Sequence, residues 1–201
     1  MPGHRPASLL AAVALLALTT QVLAQAPVAP LPPEPAPTPL PAEYSDEARR
    51  AYAAGLKEAR ELIAQRRHDA AIARLDALVA DRPREPQARF LKSVAQSESG
   101  RGADAMATLT ALASDFPELP EVHNNLAVLH AARGDLDLAR RELELALAAA
   151  PDYAPAHENL GDVHARLALD AWSRAAALDR GRPAVALEQK LKLVREALAP
   201  R

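Results

Sequence analysis

The chain has 201 residues, 49% hydrophobic and 25% charged, with a formal net charge of −2. That length suits one modest domain, and so balanced a charge argues against a nucleic acid or an anionic membrane as partner. Aromatics at 3% leave little for base stacking, and the absence of cysteine removes disulfides, thiol chemistry and Cys-ligated metals.

The N-terminus has the look of a targeting segment. His4 and Arg5 precede a short apolar run, Leu9 to Leu18, and Val22-Leu23-Ala24 supplies small residues for cleavage. The run is about half of the roughly 20 residues that a transmembrane helix needs. Residues 1–24 therefore read as a cleaved signal peptide, with the mature chain starting near Gln25 in a bacterial periplasm. An inner-membrane signal anchor is the alternative. Residues 25–45 follow as a Pro-rich disordered spacer, with eight prolines in the fifteen positions from Pro27 to Pro41. Such a stretch favours extended polyproline II over helix or central strand. It is a solvated spacer or, on the sharper reading, a ligand for a Pro-binding partner.

From about Tyr52 to Arg182 the chain repeats with a period of 34 residues. Ala71, Ala105 and Ala139 mark one slot, with Ala168 five residues early; Pro83, Pro117 and Pro151 close the units, and Arg180 stands in for the fourth. Self-similarity of this length means helix pairs stacked into a solenoid. In the first unit, 52–85, Leu56, Ala59, Leu62 and Ile63 share one helical face, and Ala71, Leu75, Leu78 and Val79 share the next. The second unit, 86–119, carries Phe90, Leu91 and Val94, then Gly100, Ala105, Leu109 and Leu112. The third, 120–153, carries Leu126, Ala127 and Leu129, then Gly134, Asp135, Ala139, Leu143, Ala146 and Leu147. Apolar residues at i, i+3 and i+4, broken by turn residues in mid-unit, are the pattern of two amphipathic helices.

The fourth unit, 154–182, is short, and the missing residues are those of the turn. Leu160, Val163, Leu167, Ala171, Ala175 and Leu178 make one unbroken stripe, which predicts a single helix from about Ala156 to Asp179 that carries Trp172. Gly181 and Pro183 then break it, and residues 183–201 hold an amphipathic helix from Ala184 to Leu198. Its stripe of Leu187, Leu191, Val194 and Leu198 suits a cap on the open end of an array, or a contact with a second copy.

These units resemble the tetratricopeptide repeat (TPR) family. Leu126-Ala127, Gly134-Asp135, Ala139, Ala146 and Pro151 follow its signature in unit three, and Asn159-Leu160-Gly161-Asp162 follows the first helix of unit four. The aromatic usual at the fourth position of each unit is replaced by Gly55, Arg89, His123 and His157. More narrowly, the chain is similar to small periplasmic TPR proteins of proteobacteria. The resemblance implies an all-α, TPR-type helix-turn-helix solenoid over 46–182, ended by the C-terminal capping helix. It also implies a concave groove, lined by the first helix of each unit, that holds a peptide.

Candidate sites follow. His123 and His130 are seven apart, as are His157 and His164, whereas helical zinc ligands usually lie four apart, so packing is favoured over a metal site. Glu158 and Asp162, one turn apart, read as a solvated acidic face, and no nucleophile or phosphate-loop motif suggests an enzyme or a cofactor. For the groove, the resemblance nominates Leu56, Lys57, Arg60 and Ile63 from unit one and Phe90 and Val94 from unit two. Unit three offers Asn124, Asn125 and Val128, and unit four Glu158, Asn159 and Asp162. Asn125 and Asn159 stand at equivalent positions, where the family uses asparagine amides to hold an extended peptide. No basic residue accompanies them, so capture of a C-terminal carboxylate is not expected. The expected ligand has an apolar centre and is acidic toward Lys57 and Arg60 and basic toward Glu158 and Asp162.

The functional expectation is a non-enzymatic periplasmic module that binds a peptide or helix segment in its concave groove. The alternatives are a TPR subunit of an envelope assembly or cytochrome c maturation machinery, and a self-associating structural protein that forms a homodimer.

Overall fold

The computed structural model describes residues 45–178 and 185–199, which form eight helices and no strand. The signal-peptide and Pro-rich readings, and the break at Gly181 and Pro183, lie outside the described residues. In chain order the helices are α1 (Asp46–Ala64), α2 (His68–Asp81), α3 (Pro86–Glu98), α4 (Gly102–Asp115), α5 (Pro120–Ala132), α6 (Leu136–Ala149), α7 (Ala154–Leu178) and α8 (Val185–Ala197). The first helix begins six residues ahead of the repeat boundary at Tyr52, because Ser45 offers a cap. Its Oγ accepts the Ala48 amide at 3.2 Å, and Asp46 and Glu47 occupy the first turn, where carboxylates favour the helix dipole. Pro86 and Pro120 seat the first turns of α3 and α5, where a missing N–H costs nothing.

The hairpin turns repeat as faithfully as the helices. Arg66, Gly100 and Gly134 stand 34 residues apart, and all have positive φ, at 58°, 81° and 85°. After each of them an amide reaches back across the end of the helix: Arg67 N–H to the Leu62 carbonyl at 2.9 Å, Arg101 to Gln96 at 2.8 Å, Asp135 to His130 at 3.0 Å. This is the Schellman cap, which needs a left-handed residue to satisfy the last carbonyls. The corresponding residue of unit four, Ala168, lies inside α7, which runs on for 25 residues.

Each hairpin packs on the next. Ala59, Ser93 and Ala127 on the first helices, and Ala71, Ala105 and Ala139 on the second, are almost fully buried and let the paired axes approach closely. Leu75, Leu109 and Leu143 recur in one slot of α2, α4 and α6, each 2% exposed or less. Burying each contributes roughly 1.5–3 kcal/mol. At the open N-terminal end, the guanidinium of Arg82 lies 4.6 Å from the Tyr52 ring centroid and donates to the Ala48 carbonyl. Burial, with Glu85 second, pushes the Tyr52 hydroxyl up to about 12.

The stacking is uneven. Along the inner row α1 rests on α3, and α5 rests on α7, but α3 and α5 do not pack comparably, and α4 meets α5 more thinly than α2 meets α3. The buried apolar residues accordingly divide into two clusters within α5. One extends from Tyr52 to Leu126 and the other from Ala127 to Val163. The junction between units two and three is therefore the most open of the array.

The apolar stripe expected on α7 changes course halfway. Leu160, Val163 and Leu167 are buried or half-buried against α6, but Ala171, Ala175 and Leu178 are exposed, the last at 81%. The covered side becomes Leu169, Trp172 and Ala176, because α8 packs there, with Leu191 buried and Lys190 Nζ 5.5 Å from the Trp172 ring centroid. Periodicity found the helix; the position of its neighbour chose the face.

Candidate functional site

The inner row α1, α3, α5 and α7 presents the nominated residues in three different settings. Leu56, Ile63 and Phe90 are buried within the first apolar cluster, so they build the wall and offer it no surface. Asn124 is wholly buried, and its Oδ1 accepts from Asn159 Nδ2 at 2.8 Å. The expected pair of ligand-holding amides, Asn125 and Asn159, is thus divided: Asn159 is used in tying α7 to α5. A polar pair in a low-dielectric contact is costly unless bonded, and this bond fixes the register of the two helices. Lys57, Glu158 and Asp162 are exposed and Arg60 is half-exposed. Lys57 Nζ lies 3.9 Å from Glu61 of its own helix, so the charge offered at the α1 end is partly answered already.

The third group converges. At the open junction a cleft of about 240 Å³ lies between α3, α4 and α5. Val94, Leu109, Val128 and Leu129 give it apolar walls, and Ser93, Ser97 and Asn125 add polar atoms. Ser93 Oγ is committed to the Phe90 carbonyl at 2.6 Å. Asn125 is 6% exposed, and its Oδ1 has no hydrogen-bond partner. A buried carbonyl oxygen left unpaired costs about 1–3 kcal/mol, and a ligand N–H that reached it would recover this. Val94, Asn125 and Val128 were legible in the sequence as first-helix residues. Leu109 and Leu129 were legible only as core, and Ser93 and Ser97 carried no signal, since their role depends on α3 and α5 standing apart.

Electrostatics mark the α7 end. The Asp162 carboxyl is raised above the usual range, first by burial and then by Glu158 one turn away, with Arg166 partly opposing. Burial pushes the Tyr153 hydroxyl up to about 12, and Glu121 on α5 adds to the shift. Cationic ligand groups are favoured on this side of the inner face.

Two histidines have structural work at the repeat junctions. His123 Nε2 meets the Pro117 carbonyl at 3.1 Å, and His157 Nε2 meets the Pro151 carbonyl at 2.8 Å, one period later. His123 Nδ1 is also 2.8 Å from Glu142 Oε2. Among the described residues, no group of three or more His, Asp or Glu side chains is placed to hold a metal ion. Among them too, no helix is long and apolar enough to cross a membrane.

Comparison with solved structures gives the same architecture. A thermophilic TPR protein of Thermus thermophilus superposes with a TM-score of 0.55 at 21% identity, covering 73% of this chain and 82% of that one. The Sgt2 TPR domain of Aspergillus fumigatus gives 0.56 at 15% identity, covering 67% and 86%. The first TPR of Spaghetti (RPAP3), bound to the HSP90 peptide SRMEEVD, gives 0.55 at 16% identity, covering 59% and 94%. Identities this low speak for the fold alone. No curated protein matches the sequence. The family model for the tetratricopeptide repeat matches residues 62–129 and 97–167, together more than half of the chain. With the Schellman turns, small-residue contacts and stacked hairpins recurring at the same period, the chain belongs to the tetratricopeptide repeat family.

Proposed function

We propose that this chain is a protein-binding module that seats a peptide or helical segment on its inner face, anchored in the cleft between units two and three. The observation that carries this reading is the unpartnered, nearly buried Oδ1 of Asn125 at an apolar cleft formed by Val94, Leu109, Val128 and Leu129. Apolar walls with one convergent acceptor suit an aliphatic side chain beside a donating main-chain N–H. Glu158 and Asp162 then favour a basic group toward α7, and Lys57 and Arg60 an acidic one toward α1. The complex of the RPAP3 domain with an HSP90 peptide shows that a fold of this kind can seat a short peptide. The apolar run Leu9–Leu18 and the small residues before Gln25 support export to a periplasm as the setting. In that setting the module acts by binding and not by catalysis, presenting a preformed surface that loses little entropy when a partner docks.

The test is selection of binding peptides from a random library on residues 25–201, followed by titration against variants. Val128→Glu should abolish binding of the selected peptides, and Asn125→Ala should weaken it about tenfold, a loss of roughly 1–2 kcal/mol. Arg60→Glu with Asp162→Lys should reduce binding at low salt and have less effect at high salt. Circular dichroism checks that each variant is folded. Selected peptides that bind wild type and Val128→Glu equally would remove the cleft as the seat.

A further inference from the structure

The ring of His123 is enclosed on both sides by oxygen. Nδ1 faces Glu142 Oε2 at 2.8 Å and Nε2 faces the Pro117 carbonyl at 3.1 Å, with the side chain only 8% exposed. A neutral imidazole has one N–H and one lone pair, so it can satisfy only one of two acceptors; the imidazolium, with two N–H groups, satisfies both. The two bonds tie three elements together: α5, which carries the ring; α6 of the same unit; and the 116–119 loop, which ends unit two. They span the junction at which the inner-row helices stand apart and the cleft opens. Unit four contains an internal control. His157 makes the same bond to Pro151, but the position equivalent to Glu142 is Ala176, so one N–H suffices and no second proton is needed.

We infer that His123 is a proton-operated strap between units two and three, closed as the imidazolium and released when the ring loses its second proton to solvent. In the neutral ring the surviving N–H stays with the carboxylate, which is the stronger acceptor. A lone pair then faces the Pro117 carbonyl, and the loop is freed from α5. Because α3 and α5 have little direct contact, this release widens the junction, and with it the cleft. The charged group facing the ring from α6 is Glu142, and from the 116–119 loop the ring meets the Pro117 carbonyl. No other charged group adds to its shift. The Glu142 hydrogen bond raises the histidine pKa, burial opposes, and the Pro117 bond adds to the rise. A folded pKa above the unfolded one means that the strap's stabilisation is complete below the ordinary histidine value of about 6.5. It is lost as pH rises through the folded value.

The cysteine-free chain allows a direct test. Spin labels on Ala111→Cys and Leu145→Cys, exposed and uncharged positions one period apart on α4 and α6, report the separation of units two and three. Between about pH 5 and pH 9 the distance distribution should lengthen and broaden with a single midpoint above the ordinary histidine value. Ring ¹⁵N shifts of His123 should move with the same midpoint, showing both nitrogens protonated on its acid side. Glu142→Gln should shift both midpoints to lower pH, and His123→Phe should make the distance independent of pH. If His123→Phe does not fold, Glu142→Gln still carries both readouts. A distance that does not change with pH in the wild type, or a His123 ring that titrates at or below about pH 6.5, overturns the proposal. Neither readout depends on a bound peptide, so the strap and the cleft as a peptide seat can fail separately.

Discussion

Units three and four begin alike and end differently. Each opens with a helix that buries an asparagine at its sixth position, Asn125 or Asn159, and each anchors a histidine on the carbonyl of the proline six residues back. Unit three then turns at Gly134 and folds back as α6, whereas unit four passes Ala168 and continues as α7 to Leu178. The comparison shows that an apolar stripe does not make a hairpin. What divides the two units is a residue at which the backbone can become left-handed, followed by an amide that satisfies the last carbonyls. Without it, the second half of α7 has only α8 to cover it, and large apolar side chains stay in solvent.

The difference has measurable consequences. The largest lies in burial. Leu143→Ala in the fully buried slot of α6 should cost about 2–5 kcal/mol, while Leu178→Ala on the exposed end of α7 should stay within about 0.5 kcal/mol. Urea denaturation measures both, and comparable losses would mean that the tail is packed as tightly as the repeats. The turn comes next. At Gly134 an added Cβ meets nothing within 4 Å, so Gly134→Ala feels only the cost of its φ of 85°. That cost is about 1–2 kcal/mol, and the same substitution at Gly161, inside α7, should instead stabilise by up to roughly 1 kcal/mol. The smallest effect tests the turn that lacks glycine. Arg66 has φ of 58°, and Arg66→Gly should stabilise unit one by a few tenths to about 1 kcal/mol, less what the freer unfolded chain takes back. A rise in the urea midpoint at unchanged slope is the expected result.

Much of the architecture was legible because it is local. The alanines at 71, 105 and 139, the prolines that close each unit and the glycines at 100 and 134 act through contacts within a few turns of helix. The site was less legible. Leu56, Phe90 and Asn124 share helices with Lys57, Val94 and Asn125, and a single-helix argument cannot tell which of them the next hairpin covers. Asn159 illustrates the limit: its repeat position matches that of Asn125, but its partner, Asn124, sits on another helix.

The sequence by itself determined the period, the two-helix unit, the places where turns are allowed and the place in unit four where one is not, since each rests on propensity, φ and apolar spacing. Tertiary structure alone decided which junction stays open, which asparagine keeps a free oxygen, and which side of α7 is covered. Those depend on how closely one hairpin approaches the next. That distance is set by side chains from four helices at once, including the oxygens on either side of His123.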